Sequence, residues 1–269
     1  MTPSPSATTA VADPAHMPAI PSIPIDSVPA VTAAQMAEVD RLAVDVYGIT
    51  LLQMMEQAGS HLATVAGTEL GGDLRDRSIL VAVGPGNNGG GGLVAARHLV
   101  NRGARVRVVL ARPARRLSEA GRHQLATLLE MGVSCCMAVY DITDAEIDEE
   151  LRGADLVIDA VLGYRGRGAP HDEVATLLER ISGAADRTLS LDLPSGLDPD
   201  SGVPAAGAVR SRATMTLALP KAGLLTDIGQ EQAGHLYLAD IGLPAALYAR
   251  MDLTVDAPFS TARIVRLEA

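Results

Sequence analysis

The sequence predicts an α/β fold of the Rossmann-like kind, built on a mostly parallel central sheet. Two observations carry this expectation. Short β-rich runs alternate with helical stretches along most of the chain, the pattern of parallel strands joined by crossover helices. One of those runs leads through a glycine-rich segment into a helix, an arrangement that presents backbone amides to a phosphate.

The elements follow in order. Residues 1–30 are rich in Pro, Ala, Ser and Thr and show little apolar periodicity, so a disordered tail is expected there. Order is expected to begin near Thr32, a helix N-cap followed by Met36, Val39, Ala43 and Val46 at helical spacing. A second helix follows Thr50, with Leu51, Leu52, Met55, Ala58, Leu62 and Val65 on its apolar side. Strands are predicted over Ser78 to Val83, Arg105 to Ala111, Val133 to Val139, Leu156 to Asp159, Thr188 to Leu193, Ala213 to Leu219 and His235 to Ala239. The intervening helices are Leu93 to Asn101, Ser118 to Met131, Asp144 to Leu151 and Glu173 to Ser182. Residues 31–269 read as one domain, whose last ~20 residues form a weakly specified extension.

Bulk properties exclude several functions. A net charge of -10 and a pI near 5.0 argue against nucleic acid or an anionic membrane as partner. With no Trp and one Phe, the chain has no platform on which bases could stack. No apolar run approaches the roughly 20 residues of a membrane span, and no basic flank precedes an apolar stretch as in a signal peptide. A cytoplasmic protein is expected. Cys135 and Cys136 are adjacent, so they neither close a loop nor offer metal-ligand spacing, and they read as two small strand residues. His98 is expected to pack or cap locally, and the acidic run Asp144 to Glu150 to face solvent.

The glycine segment runs Gly84-Pro85-Gly86-Asn87-Asn88-Gly89-Gly90-Gly91-Gly92, directly after the strand ending at Val83. Gly84, Gly86 and Gly89 satisfy the G-x-G-x-x-G spacing of dinucleotide dehydrogenases. Such folds carry a carboxylate at the end of the second strand for the ribose; here that strand ends in Ala111-Arg112, so only a 2′-phosphate contact by Arg112 would fit an NADP-dependent oxidoreductase. Glycines kept only for tight packing are a further alternative. Ligands of open α/β sheets sit beyond the carboxyl ends of strands, where this sequence places Asn87 and Asn88, Asp159, Asp192 and Ser195, and Lys221. Asn, Asp and Ser oxygens are hard donors suited to an alkali or alkaline-earth cation and poorly suited to zinc. Asp192 and Lys221 could form an acid/base pair.

These segments resemble one family. Gly84-Pro-Gly-Asn-Asn-Gly-Gly followed by Leu93-Val-Ala-Ala-Arg97-His98-Leu99, then Asp159-Ala-Val-Leu-Gly163, Asp192-Leu-Pro-Ser195-Gly196 and Leu219-Pro-Lys221, look like the NAD(P)H-hydrate epimerases, or YjeF N-terminal domains. Gln35-Met36 to Asp40 and Met54-Met55-Glu56-Gln57-Ala58-Gly59 are similar to that family's leading helices, and the resemblance spans about residues 31 to 245 in conserved motif order. It implies a three-layer α/β/α sandwich, often a homodimer, that interconverts the R and S forms of hydrated NADH or NADPH (NADHX and NADPHX). By resemblance, Asn87, Asn88, Gly89, Gly90 and Gly91 cradle the nucleotide phosphate. Gly163, Tyr164, Arg165, Gly166, Arg167, Gly168 and Ala169 form a second substrate loop, though for Arg165 and Arg167 an ordinary solvated loop fits as well. Asp192 contacts substrate, and Asn88, Asp159 and Ser195 hold K+. Asp192 is the expected proton-transfer residue, with Lys221 orienting it. Many members carry a fused dehydratase; this chain is too short for one, so a separate NAD(P)HX dehydratase is the expected partner. Two positions depart from the pattern: Gly91 stands where Asp is usual, and Gln57 where Asn is usual. Gly91 leaves open a non-catalytic nucleotide-binding or interaction module of the same fold.

Overall fold

The computed structural model describes residues 19–138, 140–166 and 168–268. In chain order they form β1 (Ser22–Pro24), α1 (Ala33–Arg41), α2 (Leu51–Glu69), β2 (Ser78–Val83), α3 (Asn87–Asn101), β3 (Arg105–Leu110), α4 (Glu119–Glu130), β4 (Ser134–Met137), α5 (Asp144–Gly153), β5 (Leu156–Ala160), α6 (Asp172–Ser182), β6 (Thr188–Leu191), β7 (Ala213–Leu217), α7 (Asp227–Ala233), β8 (His235–Ala239), α8 (Ala245–Ala249) and β9 (Ile264–Glu268).

The central strands are apolar almost throughout because both faces of the sheet are covered. Leu62, Val65, Leu93, Leu99, Leu125 and Leu128, from α2, α3 and α4, pack in one cluster with Val81, Ile158 and Leu191. Ile147 and Leu151 of α5, with Leu177 and Ile181 of α6, pack in another with Leu80, Val109 and Val157. A third cluster joins Met36 and Val39 of α1 to Leu236, Leu238, Leu247 and Val265. The result is the expected three-layer sandwich. The sheet order is β1-β9-β8-β7-β6-β5-β2-β3-β4, and every neighbouring pair is parallel except β8 with β9. From β2 the chain winds outward to β3 and β4, then returns to lay β5 against the other edge of β2. That reversal opens a crevice between the exits of β2 and β5.

Helix starts follow their capping chemistry. Thr32 with Gln35, Thr50 with Gln53 and Thr143 with Glu146 each form a reciprocal capping box, and Ser118 and Thr226 cap α4 and α7. His98 bonds Glu56 at 2.8 Å, and in the acidic run Asp144 and Asp148 pair with Arg180.

Four expectations are corrected. Of the tail expected to be disordered, residues 1–18 lie outside the described residues, but Ser22–Pro24 is a strand paired with β9. Its partner is more than 200 residues away, so local composition carries no trace of the pairing. The same contact turns the end of the expected weak extension into β9. α3 starts at Asn87 rather than Leu93, with the glycines in its first turns. A Cβ at Gly90 would come within 2.5 Å of Met55 Cε, and one at Gly92 within 2.5 Å of Ala160 Cβ. Close packing on α2 and β5 thus overrides the weak helix propensity of glycine. Finally, Val46 and Leu52 are 45% and 41% exposed despite falling on the predicted apolar stripes. A wide π-type turn over Leu42–Val46 shifts the helical register at Val46, whereas Leu52 sits in the first turn of α2, a separate helix capped by Thr50.

Candidate active site

The exits of β2 and β5 almost touch. A Cβ at Gly84 would lie 1.8 Å from the Val161 carbonyl oxygen, so only glycine fits where the two loops pass. Beyond them α3 begins with Gly86 as N-cap and no side-chain cap, unlike the capped helices above. Its first amides therefore remain available to an anion. They open onto a cavity of about 310 Å³. Of the strand-end residues, Asn87, Asn88, Asp192 and Lys221 line it and Asp159 and Ser195 do not; of the residues given by resemblance, Gly91, Gly163, Tyr164, Arg165 and Gly166 line it too. Gly89 and Gly90 are buried and do not line the cavity, their space being taken by Gly84 and Met55. Gly168 and Ala169 line a neighbouring cavity of about 270 Å³ that shares Gly163 and Gly166 with the first. Arg167 lies outside the described residues.

At the cavity floor Asp192 and Lys221 form an ion pair, Lys221 Nζ donating to Asp192 Oδ1. Both are buried, at 4% and 0% exposed. Lys221 also reaches the Leu217 carbonyl at 3.0 Å and Thr216 Oγ1 at 3.3 Å, so all three ammonium hydrogens have acceptors. Asp192 Oδ2 accepts the Tyr164 amide at 2.9 Å. The backbone that aims these groups is strained: Asp192 has φ +71° and Ala218 φ +64°. Each is the centre of a three-residue turn, closed by Leu193 N to Leu191 O at 2.9 Å and Leu219 N to Leu217 O at 2.8 Å. Non-glycine residues in that region cost about 1–3 kcal/mol each and persist where the surroundings over-determine them. These twin turns end β6 and β7 abruptly and carry Asp192 and the Lys221 segment into the crevice.

Beneath this pair lies Asp159, fully buried at the end of β5. Its Oδ1 accepts Ser195 Oγ at 2.6 Å and the Val161 amide at 3.2 Å; its Oδ2 accepts Ser190 Oγ and the Ser195 amide, both at 2.8 Å. Burial pushes its carboxyl above the ordinary range, against the pull of those hydrogen bonds. Among the described residues no cationic side chain pairs with it. Asn88 donates to the Leu191 carbonyl at 3.2 Å, which leaves Oδ1 turned toward Gly163. The donors of Asn88, Asp159 and Ser195 are all oxygen, and a buried carboxylate without a counter-charge fits a monovalent cation. No cluster of three or more His, Cys, Asp or Glu suitable for a metal occurs among the described residues.

The strand-end search missed the other wall of the cavity. Met36 and Asp40 of α1, with Leu51, Met54 and Met55 of α2, close it from the side. Asp40 accepts the Tyr164 hydroxyl at 2.5 Å and Arg165 at 3.0 Å. Its signal was a carboxylate one helical turn from the buried Met36. Arg112, the candidate 2′-phosphate contact, is instead held by Asp172 and Glu173. Cys135 and Cys136 lie in β4 as unpaired cysteines, and burial pushes the Cys135 thiol up to about 11, an inert value.

Comparison with known proteins identifies the family. The family model described as YjeF-related protein N-terminus matches residues 51–223. An NAD(P)H-hydrate epimerase of Dehalogenimonas lykanthroporepellens is 42% identical over 240 residues, covering 89% of this chain and 93% of that protein. A bifunctional NAD(P)H-hydrate repair enzyme Nnr of Moorella thermoacetica is 40% identical over 81% of this chain, which spans 41% of that longer protein. The crystal structure of yeast ynu0 shares the fold with a TM-score of 0.77, at 24% identity, over 89% of this chain and all of that one. With the family match covering most of the residues that line the cavity, the chain belongs to the YjeF-related protein N-terminus family.

Proposed function

We propose that the protein interconverts the R and S forms of hydrated NADH and NADPH, as an isomerase of nicotinamide nucleotide repair. The observation that carries this reading is the buried Asp192–Lys221 pair facing a cavity that also receives the uncapped N-terminus of α3. An anion site and a proton-transfer pair lining one pocket suit a phosphorylated substrate whose reacting carbon needs a proton given and taken back. The 42% identical epimerase supports the same activity.

In the hydrated nicotinamide ring the reacting carbon bears a hydroxyl and adjoins the ring nitrogen. The Asp192–Lys221 pair lends a proton to the departing hydroxyl, the C–O bond breaks, and the nitrogen lone pair forms a C=N bond. Water adds to the opposite face, and Asp192 takes back the proton, so the step is balanced and neither oxidises nor reduces. The apolar wall of Met36, Met54 and Met55 limits stray water at the iminium stage. Asn88, Asp159 and Ser195 would hold K+, which when bound supplies positive charge against the buried Asp159 carboxylate. The reading includes a cytoplasmic location and a separate dehydratase consuming the S form. No helix among the described residues is long and apolar enough to cross a membrane. It also includes a homodimer, for which the exposed Val44 and Val46 after α1 and Leu52 at the start of α2 offer apolar surface.

Purified protein is incubated with R-NADHX in potassium buffer and the S form followed by HPLC, against a no-protein control for spontaneous epimerisation. The expected result is conversion above background that falls by about 10²–10⁴-fold in Asp192→Ala. Conversion at the background rate by a folded protein would favour the second reading, a nucleotide-binding or interaction module, which draws on Gly91 in the cavity wall.

A further inference from the structure

Asp40 is the one carboxylate that α1 brings to the cavity. It stands four residues after the buried Met36, so the helix turns it to the same face. Three hydrogen bonds close a ring around it. The Tyr164 hydroxyl donates to Asp40 Oδ2 at 2.5 Å, Arg165 Nη2 donates to the same oxygen at 3.0 Å, and Arg165 Nε donates to the Tyr164 hydroxyl at 2.9 Å. The other end of Tyr164 grips the buried pair. Its amide donates to Asp192 Oδ2 at 2.9 Å, and the Lys221 ammonium lies 5.9 Å from its ring centroid.

Asp192 is therefore held at both oxygens, by Lys221 on Oδ1 and by the Tyr164 amide on Oδ2. The second hold has little backbone stiffness behind it, because Gly163 and Gly166 flank Tyr164 and Arg165 and a single Gly166 to Gly163 bond at 2.8 Å closes the turn. Two things tie the loop to the helices: the Tyr164 ring packs into the apolar cluster that contains Met36 and Met54, and the tyrosine hydroxyl bonds Asp40 of α1.

We propose that Asp40 is a positioning residue for the Asp192–Lys221 pair, acting through Tyr164 as a latch between α1 and the 163–166 loop. The proposal rests on the epimerase reading above, with Asp40 touching neither the reacting atoms nor the transferred proton. Without the latch the Tyr164 amide drifts from Asp192 Oδ2, and the carboxylate is free to turn about its remaining bond to Lys221. Asparagine at position 40 would still accept from the Tyr164 hydroxyl through its amide oxygen; alanine would not.

The test combines kinetics on R-NADHX with hydrogen exchange of the segment containing the Tyr164 amide, in Asp40→Ala, Asp40→Asn, Tyr164→Phe and the Asp40→Ala/Tyr164→Phe double variant. Asp40→Ala is expected to lower kcat by roughly 10- to 100-fold while KM stays within about twofold, the signature of lost orientation rather than lost binding. Asp40→Asn recovers most of that loss, Tyr164→Phe reproduces it, and the double variant is no worse than either single one, because one latch is broken once. Exchange at the 164 amide quickens in Asp40→Ala and not in Asp40→Asn. A rise in KM alone, multiplying effects in the double variant, or unchanged exchange in Asp40→Ala would overturn the proposal. If the wild-type protein shows no turnover, the epimerase reading fails and Asp40 has no reaction to serve, whereas the exchange data still decide whether the latch exists.

Discussion

Lys221 illustrates how much one side chain can carry. A lysine at 0% exposure is tolerated because its ammonium has three acceptors, one of them charged. Such a pair adds little net stability over an apolar substitute, yet removing one member strands the other. Lys221→Ala is expected to cost about 3–5 kcal/mol in denaturant unfolding, since the Asp192 carboxylate stays buried with only the Tyr164 amide. Asp192→Asn/Lys221→Met, which removes both charges, is expected to recover most of that stability and none of the epimerase activity. Equal destabilisation by the single and double changes would show that packing around Lys221, rather than the stranded charge, sets the cost. Ser195 works at the same scale: its hydroxyl both donates to Asp159 and accepts the Leu162 amide at 2.8 Å, tying the β5 exit to the β6 exit.

At the scale of elements, α3 answers two demands with the same glycines. Its first turns must fit under Met55 and against Ala160, and its N-terminal amides must stay open to a ligand. Gly91 is where these demands meet the family pattern, which usually has Asp. A Cβ there would lie 2.8 Å from Leu191 Cδ2, the end of a side chain that can rotate rather than fixed backbone. Gly91→Asp is expected to raise kcat/KM on R-NADHX by about five- to tenfold, one hydrogen bond to the substrate's worth, while costing about 1 kcal/mol of stability for displacing Leu191. Unchanged or lower kcat/KM would mean that the missing acceptor is not limiting. The other loop beside the cavity, 163–166, is tied to α1 through Tyr164 and Arg165 as well as to Asp192 through its backbone.

The proposed potassium ligands come from three separate parts of the chain: Asn88 follows β2, Asp159 lies in β5 and Ser195, bonded to Asp159, follows β6. A cation held there would bind the folded state only, so it should act on global stability. Exchanging K+ for choline at constant ionic strength is expected to lower Tm, with 100 mM K+ contributing about 2.7 kcal/mol if its Kd is near 1 mM. The effect should vanish in Asp159→Asn. A Tm indifferent to K+ in the wild type would remove potassium from the proposal while leaving the Asp192–Lys221 chemistry untouched.

Much of this was legible in the amino-acid order. Strand periodicity placed β2 and β8 to the residue, and the threonine caps placed the starts of α1 and α2, because apolar alternation and capping are local properties of a few neighbouring residues. The rule that ligands gather at strand ends points to Asn87, Asn88, Asp159, Asp192, Ser195 and Lys221, of which Asn87, Asn88, Asp192 and Lys221 line the cavity, since a parallel sheet sends all those ends to one side. Three features needed the folded chain. β1 and β9 exist only by pairing with each other and with β8 across almost the whole sequence. The role of the glycines at 90 and 92 as packing surface was hidden, because their neighbours Met55 and Ala160 are remote in sequence. Asp40 could be read as one more helix carboxylate until α1 was docked against the 163–166 loop. Local sequence determined the elements and the chemistry at their ends; long-range packing decided which distant side chains would hold that chemistry in place.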